Sequence, residues 1–175
     1  KNIDILIIDD NSPDGTAKII EDLQKNHQTI KLIVRKGKEG LDTAHKLAYR
    51  YAKEEGNTNL ITMDADLSHD PNIVPNFIKE LEEHPFVIGS RYIEGGRNDT
   101  KLTRYLLSVI GNQIIKFVLG INCEEFTTSY RGFNLGRLSN FDINKVNSRG
   151  YSFFMETIYQ IHKSGYSVKQ IPIIF

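Results

Sequence analysis

With one cysteine, no surplus of charge of either sign and no long apolar run, a chain of 175 residues excludes several classes of protein. Cys123 stands alone, so no intrachain disulfide can form, and the chain is long enough to bury a core without one. A buried, unreactive thiol is the expectation for it, and a reducing compartment fits. Lysine plus arginine number 22, as do aspartate plus glutamate. No global field therefore recruits nucleic acid or an anionic surface, and any phosphate must be recognised locally. No run of about 18 apolar residues could span a bilayer, and no signal-peptide pattern opens the sequence. Repeats, low-complexity tracts and interdomain linkers are also missing, so residues 1–175 read as one domain.

What is present is an alternation of short β-branched runs with helical spacing. Residues 3–8, 30–34, 60–63 and 86–90 read as strands, and 129–135 and 167–175 as later extended segments. Residues 17–26, 43–53, 75–83, 101–119 and 153–163 read as helices. This order predicts an α/β fold with a mainly parallel central sheet flanked by helices. Two strands run straight into paired carboxylates, Asp9-Asp10 after the first and Asp64-Ala65-Asp66 after the third.

Open parallel sheets collect ligands beyond the carboxyl ends of their strands, where both acidic pairs fall. Asp64 and Asp66 flank one small residue and can reach a single ion; hard oxygen ligands suit Mg²⁺ or Mn²⁺. The same pattern can equally make turn hydrogen bonds or cap the next helix. Asp9 and Asp10, on a strand expected to neighbour the third, can accept hydrogen bonds from a base or ribose, whereas Ser12 and Thr16 read as capping residues. A phospho-receiver module is a second class that uses Asp9, Asp10 and Asp64 in this way, with Ser90 as its hydroxyl. Against it, no strand-Lys-Pro follows and too much chain remains after Ser90. His27, His45, His69, His84 and His162 lack metal-ligand spacing and read as non-catalytic.

The ordered segments Asp9-Asp10-Asn11-Ser12-Pro13-Asp14-Gly15-Thr16, Gly40-Leu41-Asp42-Thr43-Ala44 and Asp64-Ala65-Asp66-Leu67-Ser68-His69 resemble the dolichol-phosphate mannose synthases and their bacterial polyprenyl-phosphate relatives. Gly89-Ser90-Arg91-Tyr92, Thr127-Thr128-Ser129-Tyr130-Arg131 and Gly150-Tyr151-Ser152-Phe153-Phe154-Met155-Glu156 continue that resemblance across nearly the whole chain. It implies an inverting, metal-dependent glycosyltransferase of the GT-A fold. In it Asp9, Asp10 and Asp64 contact the nucleotide-sugar, Asp64, Asp66 and Ser68 hold Mg²⁺ or Mn²⁺, and Arg91, Arg104 and Ser108 hold the acceptor phosphate. It further implies GDP-mannose as donor, a polyprenyl phosphate as acceptor, no nucleic acid partner, and peripheral contact at the cytoplasmic face of a membrane. Asp66, Arg91 and Arg104 carry the catalytic expectation. Glu125, Arg131 and Glu156 are possible further site residues, Glu156 either facing the cleft or supporting an arginine.

A polyprenyl phosphate is already an anion, so its attack on the sugar needs charge compensation and no general base. A saccharide acceptor, or a UDP-sugar donor, is the alternative within the same family; a saccharide hydroxyl needs a base, for which Glu125 occupies a common acidic position. The apolar spacing of residues 101–119 fits an interfacial helix or one that covers the domain's own sheet. Members of the resembled family begin with a further strand that lines the nucleotide pocket, and carry basic residues just beyond the last strand. The sequence therefore reads as a fragment cut at both ends, lacking the first strand of the sheet. The isolated 175-residue chain is expected to bind donor weakly and turn over slowly; full activity of the purified fragment would contradict this.

Overall fold

The computed structural model describes residues 3–98 and 102–174, with the side chain of Arg104 outside the described residues. Strand β1 (Ile5–Asp9) pairs in parallel with β2 (Ile30–Val34), Ile5 lying opposite Ile30 and Asp9 opposite Val34. Helix α1 (Thr16–Gln24) joins them, and α2 (Leu41–Glu54) leads on to β3 (Asn59–Thr62). A 3-10 turn (Pro71–Ile73) and α3 (Val74–Glu80) precede β4 (Phe86–Ser90). The second half adds α4 (Leu102–Leu119), β5 (Arg131–Asn134), α5 (Ser152–Lys163) and β6 (Lys169–Pro172).

β3, β5, β4 and β6 form a four-stranded sheet in that spatial order. β5 runs antiparallel to both of its neighbours, while β4 and β6 are parallel. Three of its four strands therefore share one direction, and β5 is inserted against them. Among the described residues β1 is hydrogen-bonded to β2 and β3 to β5, so the expected pairing of the first strand with the third is replaced by two sheets. Helix α2 touches both β1 and β3.

The interior strand β4 is apolar on both faces because both faces are covered. On one side Phe86 and Ile88 pack with Phe133, Leu138, Phe154 and Ile158. On the other, Val87 packs with Phe77, Leu81, Tyr130 and Ile171. Each fully buried Phe or Leu contributes roughly 1.5–3 kcal/mol. The second layer depends on Gly132 in β5, where a Cβ would lie 3.0 Å from side-chain carbons of Leu81 and Phe77. Cys123 is buried as expected, and burial pushes its thiol up to about 12.

Arg131 has no solvent access to speak of, at 1% exposure. Its Nε donates to the Thr128 carbonyl (2.7 Å), Nη1 to that of Phe154 (2.8 Å) and Nη2 to that of Phe126 (3.0 Å). The guanidinium also lies over the Phe154 ring, 4.7 Å from its centroid. Burial depresses its pKa to about 9, the cost of a cation whose hydrogen-bonded partners are carbonyls. Arg131, given above as a possible further site residue, is thus a structural clamp on three backbone carbonyls, with its guanidinium enclosed.

Two helices depart from their sequence reading in an informative way. α1 starts at Gly15, whose φ of 85° puts it in the left-handed region, and no side chain caps it. Asp14 shapes the turn instead, accepting the Thr16 N–H (3.0 Å) and hydroxyl (2.6 Å), so Ser12 and Thr16 are not caps. α4 turns Ser108 and Asn112 inward and leaves Leu102, Leu107, Phe117 and Val118 70–88% exposed, with Leu106, Ile110 and Ile114 about half exposed. Its solvent face is therefore apolar. Between it and α5 runs a groove of about 500 Å³ lined by Ile114, Val118, Met155 and Tyr159 among others.

His45 on α2 lies against Phe153 and Phe154, with ring centroids 5.8 and 5.0 Å away. Burial, with Arg131 nearby, lowers its pKa from 6.5 to about 4. The folded state therefore holds a neutral imidazole that the unfolded chain protonates. Stability contributed by this site is present above pH 6.5 and lost as pH falls towards 4. Tm measured against pH should drop through that window, and His45→Gln should flatten the drop; an unchanged profile would contradict the assignment.

Candidate active site

Every acidic pair predicted from the sequence lies at the carboxyl end of a strand, and the structure gathers them into two groups. The first surrounds Arg35, which directly follows β2. Its side chain is 6% exposed and pairs with Asp10 at the end of β1, Nε to Oδ1 at 2.5 Å. The same guanidinium donates to the Thr43 hydroxyl (2.5 Å) and the Gly40 carbonyl (3.3 Å). Gly40 adopts φ 101°, and a Cβ there would meet the Asp42 carboxylate at 3.0 Å, which accounts for glycine before α2. Asp9 is buried and accepts the Ser12 N–H at 2.9 Å; hydrogen bonds from Ser12 lower its pKa. Asp10 is the more accessible of the pair, with 28% of its side chain exposed, so it can still meet a ligand while Arg35 fixes its direction.

The second group lies beyond β3. Asp66 is exposed and its Oδ1 accepts both the Ser68 N–H (3.0 Å) and the Ser68 hydroxyl (2.5 Å), which lowers its pKa. Asp64 is held from two sides. Its Oδ2 accepts the hydroxyl of Ser129 (2.7 Å), and its backbone N–H donates to Nδ1 of His69 (2.9 Å). His69 is buried and lies against the Tyr130 ring with centroids 4.7 Å apart. Burial lowers its pKa; Asp64 and Asp66 oppose that shift and Arg91 adds to it. A neutral imidazole that accepts at Nδ1 follows, and because Thr62 of β3 and Ile88 of β4 both lie opposite Arg131, the ends of the two strands share one edge of the sheet.

Arg91 follows β4 directly, with 14% of its side chain exposed. It meets Glu125 through two hydrogen bonds, Nε to Oε2 (2.8 Å) and Nη2 to Oε1 (3.0 Å). Burial alone would lower the Arg91 pKa, but the carboxylate more than reverses it and leaves the guanidinium firmly charged. Glu125 has no exposed surface and also accepts the Thr127 N–H (3.2 Å) and hydroxyl (2.8 Å). A carboxylate so enclosed is not poised to take a proton from an acceptor, so the reading of Glu125 as a general base is corrected. Ser108 lies on α4, and its carbonyl accepts from Asn112, whose Oδ1 accepts the Phe126 N–H (both 2.9 Å). The side chain of Arg104 falls outside the described residues.

Glu156 is likewise reassigned. It pairs with no arginine among the described residues; it accepts the N–H groups of Asn147 (2.9 Å) and Ser148 (2.6 Å), anchors the loop before α5 and lines the groove between α4 and α5. Sequence reasoning missed Arg35, His69 and Ser129 as parts of the site. Arg35 follows the end of β2 and was open to the strand-end argument used for Asp9 and Asp64. His69 and Ser129 act on Asp64 through a fold in which β5 is the neighbour of β3, and no local pattern announces that.

The donor set fits a divalent cation. Asp64 and Asp66 are hard oxygen ligands on one short turn, and magnesium-type ions characteristically take one or two carboxylates and complete their shell with substrate phosphate and water. Ser68 orients one Asp66 oxygen. No cluster of three or more His, Cys, Asp or Glu suitable for a metal occurs among the described residues, so substrate phosphate and water would complete such a shell. Ser129→Ala should weaken Mn²⁺ binding about ten- to a hundred-fold, as loss of a ligand-orienting partner commonly does. Paramagnetic resonance titration would read this, with the distant Ser139→Ala as control; equal affinities would count against the cation site.

The profile of glycosyl transferase family 2 matches residues 1–139. An undecaprenyl-phosphate mannosyltransferase of Micrococcus luteus is 30% identical over 173 residues, covering 98% of this chain and 71% of that protein. A polyprenol monophosphomannose synthase of Mycolicibacterium smegmatis is 31% identical over 176 residues, 99% of this chain and 66% of its own length. The chain thus spans about two thirds of the length of these relatives. Among solved structures, a glucosyl-3-phosphoglycerate synthase of Mycobacterium tuberculosis with Mn²⁺, UDP-glucose and phosphoglyceric acid superposes with a TM-score of 0.64 at 14% identity, covering 97% of this chain and 58% of that one. A Pyrobaculum calidifontis mannosyltransferase with GDP-mannose and Mn²⁺ does so at 0.59 and 18% identity, covering 98% and 46%. At these identities the structures establish shared GT-A architecture alone; the family profile and the two sequence relatives show that this chain belongs to glycosyl transferase family 2.

Proposed function

We propose that the domain is the catalytic part of an inverting transferase that moves mannose from GDP-mannose to a polyprenyl phosphate at a membrane surface. The observation that carries this reading is that β3 and β4 run the same way, with Thr62 and Ile88 both opposite Arg131, and that the segment 125–129 holds Arg91 through Glu125 and Asp64 through Ser129. Carboxylates able to hold a cation with a diphosphate stand beside a charged group able to hold a second, attacking phosphate. The relatives named for undecaprenyl-phosphate and polyprenol substrates supply the acceptor class. The GDP-mannose and Mn²⁺ complex of a structural neighbour supports the donor and the divalent ion. No helix of the described residues is long and apolar enough to cross a membrane; the apolar solvent face of α4 supports peripheral contact.

In this mechanism Asp10 meets the donor nucleoside, with Asp9 holding the turn behind it. Asp64 and Asp66 present oxygen to the diphosphate side. A divalent cation bound there would compensate the charge that develops on the leaving nucleoside diphosphate. Arg91, with Arg104 and Ser108, holds the acceptor phosphate in line with the anomeric carbon. The phosphate attacks as an anion, so no side chain needs to accept a proton, and direct displacement inverts the anomeric centre. Burial and ion pairing of Glu125 speak against its serving as the base that a saccharide hydroxyl would need. Membership of glycosyl transferase family 2 sets the phospho-receiver alternative aside.

The test is transfer by the intact protein from GDP-mannose, with UDP-sugars in parallel, to a short polyprenyl phosphate with Mn²⁺ or Mg²⁺. Lipid-linked mannose is expected, and Asp66→Asn should reduce kcat/KM by about two to three orders of magnitude, the scale on which preorganised charge stabilisation acts. Transfer to a saccharide but not to lipid phosphate would overturn the acceptor assignment.

A further inference from the structure

Glu125 is the most deeply enclosed carboxylate around the candidate site, and the proposed reaction gives it no proton to move. Its side chain has no solvent contact, and among the described residues its carboxylate is bound by Arg91 and by the Thr127 N–H and hydroxyl. The pairing is two-pronged, Nε to Oε2 and Nη2 to Oε1. That geometry fixes the guanidinium plane as well as its position, which a single contact would not do. The engaged edge is Nε with Nη2, so the opposite edge, which carries Nη1, is turned away from Glu125.

The support behind Glu125 is equally specific. Thr127 Oγ1 lies 2.8 Å from Oε1 and 3.4 Å from Arg91 Nη2, so it sits against the carboxylate and the guanidinium together. The next peptide, Phe126 N–H, is bound by the buried Asn112 of α4 (2.9 Å), and Asn112 donates to the Ser108 carbonyl (2.9 Å). Residues 125–127 therefore tie the end of β4, which carries Arg91, to the turn of α4 that carries Ser108. The two parts of the expected phosphate subsite lie on different elements, and this segment is a strut between them.

We infer that Glu125 is a positioning residue for acceptor phosphate, acting through Arg91: it fixes the plane and direction of the guanidinium that binds the phosphate. The inference rests on the polyprenyl-phosphate reading given above. It assigns a part to a buried acid that sits where a base would be sought. Glu125 neither touches the acceptor nor accepts its proton, and its effect is felt in acceptor binding before donor binding.

A double-mutant cycle in the intact protein separates this from a purely structural role. Glu125→Gln keeps the shape and removes the charge, and should raise KM for a short polyprenyl phosphate by about ten- to a hundred-fold, the scale seen for groups that orient a ligand-binding side chain. The dissociation constant of GDP-mannose should stay within a factor of about two to three, the scatter ordinary to such contributions. In an Arg91→Gln background the same Glu125→Gln change should add little, because its route to the acceptor is already gone. Thr127→Val, a milder change that leaves the ion pair, should raise acceptor KM several-fold and keeps the test alive if Glu125→Gln fails to fold. Glu125→Asp should recover part of the loss. Equal losses of donor and acceptor binding, or effects of Glu125→Gln and Arg91→Gln that simply multiply, would overturn the inference. A wild-type protein that transfers nothing to lipid phosphate would overturn the functional reading and this inference with it, an outcome visible before any variant is compared.

Discussion

The guanidinium of Arg131 is buried at the start of β5, where its nitrogens gather the carbonyls of Phe126 and Thr128 from the segment before the strand and that of Phe154 from α5. Few arrangements of a cation are less favourable in isolation, since charge is removed from water with no carboxylate hydrogen-bonded to it. Its worth is in what it holds. Residues 125–130 have no regular secondary structure of their own, yet they supply Glu125, Thr127 and Ser129, the groups that fix Arg91 and Asp64. A loop without a ladder needs its carbonyls satisfied some other way, and one planar group with donors along three sides does so. The stacked ring of Phe154 completes the enclosure.

The candidate site divides the same way throughout, into groups that can meet a ligand and groups that aim them. Asp10 is aimed by Arg35, Asp64 by Ser129 and His69, Asp66 by Ser68, and Arg91 by Glu125. In each case the aiming atom is within hydrogen-bond distance, and the aimed group keeps some exposure. Phosphoryl and glycosyl leaving groups need charge in fixed positions more than they need proton transfer, so this investment in orientation suits the proposed chemistry. The enclosed His69 accepts a backbone N–H and stays neutral, which spares the turn a second cation beside Arg91.

Much of this could be read from the residues alone, for identifiable reasons. Strand ends are local: an apolar run followed by Asp9-Asp10 or Asp64-Ala65-Asp66 signals a rim whatever the sheet order. β2 and β4 fall on the residues expected, and α4 and α5 within one residue at their start. Pairing partners were less legible, because the antiparallel entry of β5 between β3 and β4 depends on contacts distant in sequence. The roles of Glu125, Arg131 and Glu156 were hidden for the same reason. Each is an ordinary charged residue until burial is known, and burial makes one a partner for Arg91, one a clamp on carbonyls and one an anchor for a loop. On α4 the spacing identified an amphipathic helix correctly, but only packing revealed that the solvent side is the apolar one.

The reversed direction of β5 also decides where this domain can tolerate a change of length. Glu125, Thr127, Ser129 and Arg131 alternate along one short stretch, and Arg131 then enters a register that sets it opposite both Thr62 and Ile88. Removing or adding one residue there would turn successive side chains to the wrong side, exchanging solvent-free charges for apolar neighbours and detaching Arg91 and Asp64 from their supports in one step. The length of this stretch is thus fixed by its contacts: a point substitution removes one support, whereas an insertion or deletion displaces all of them together.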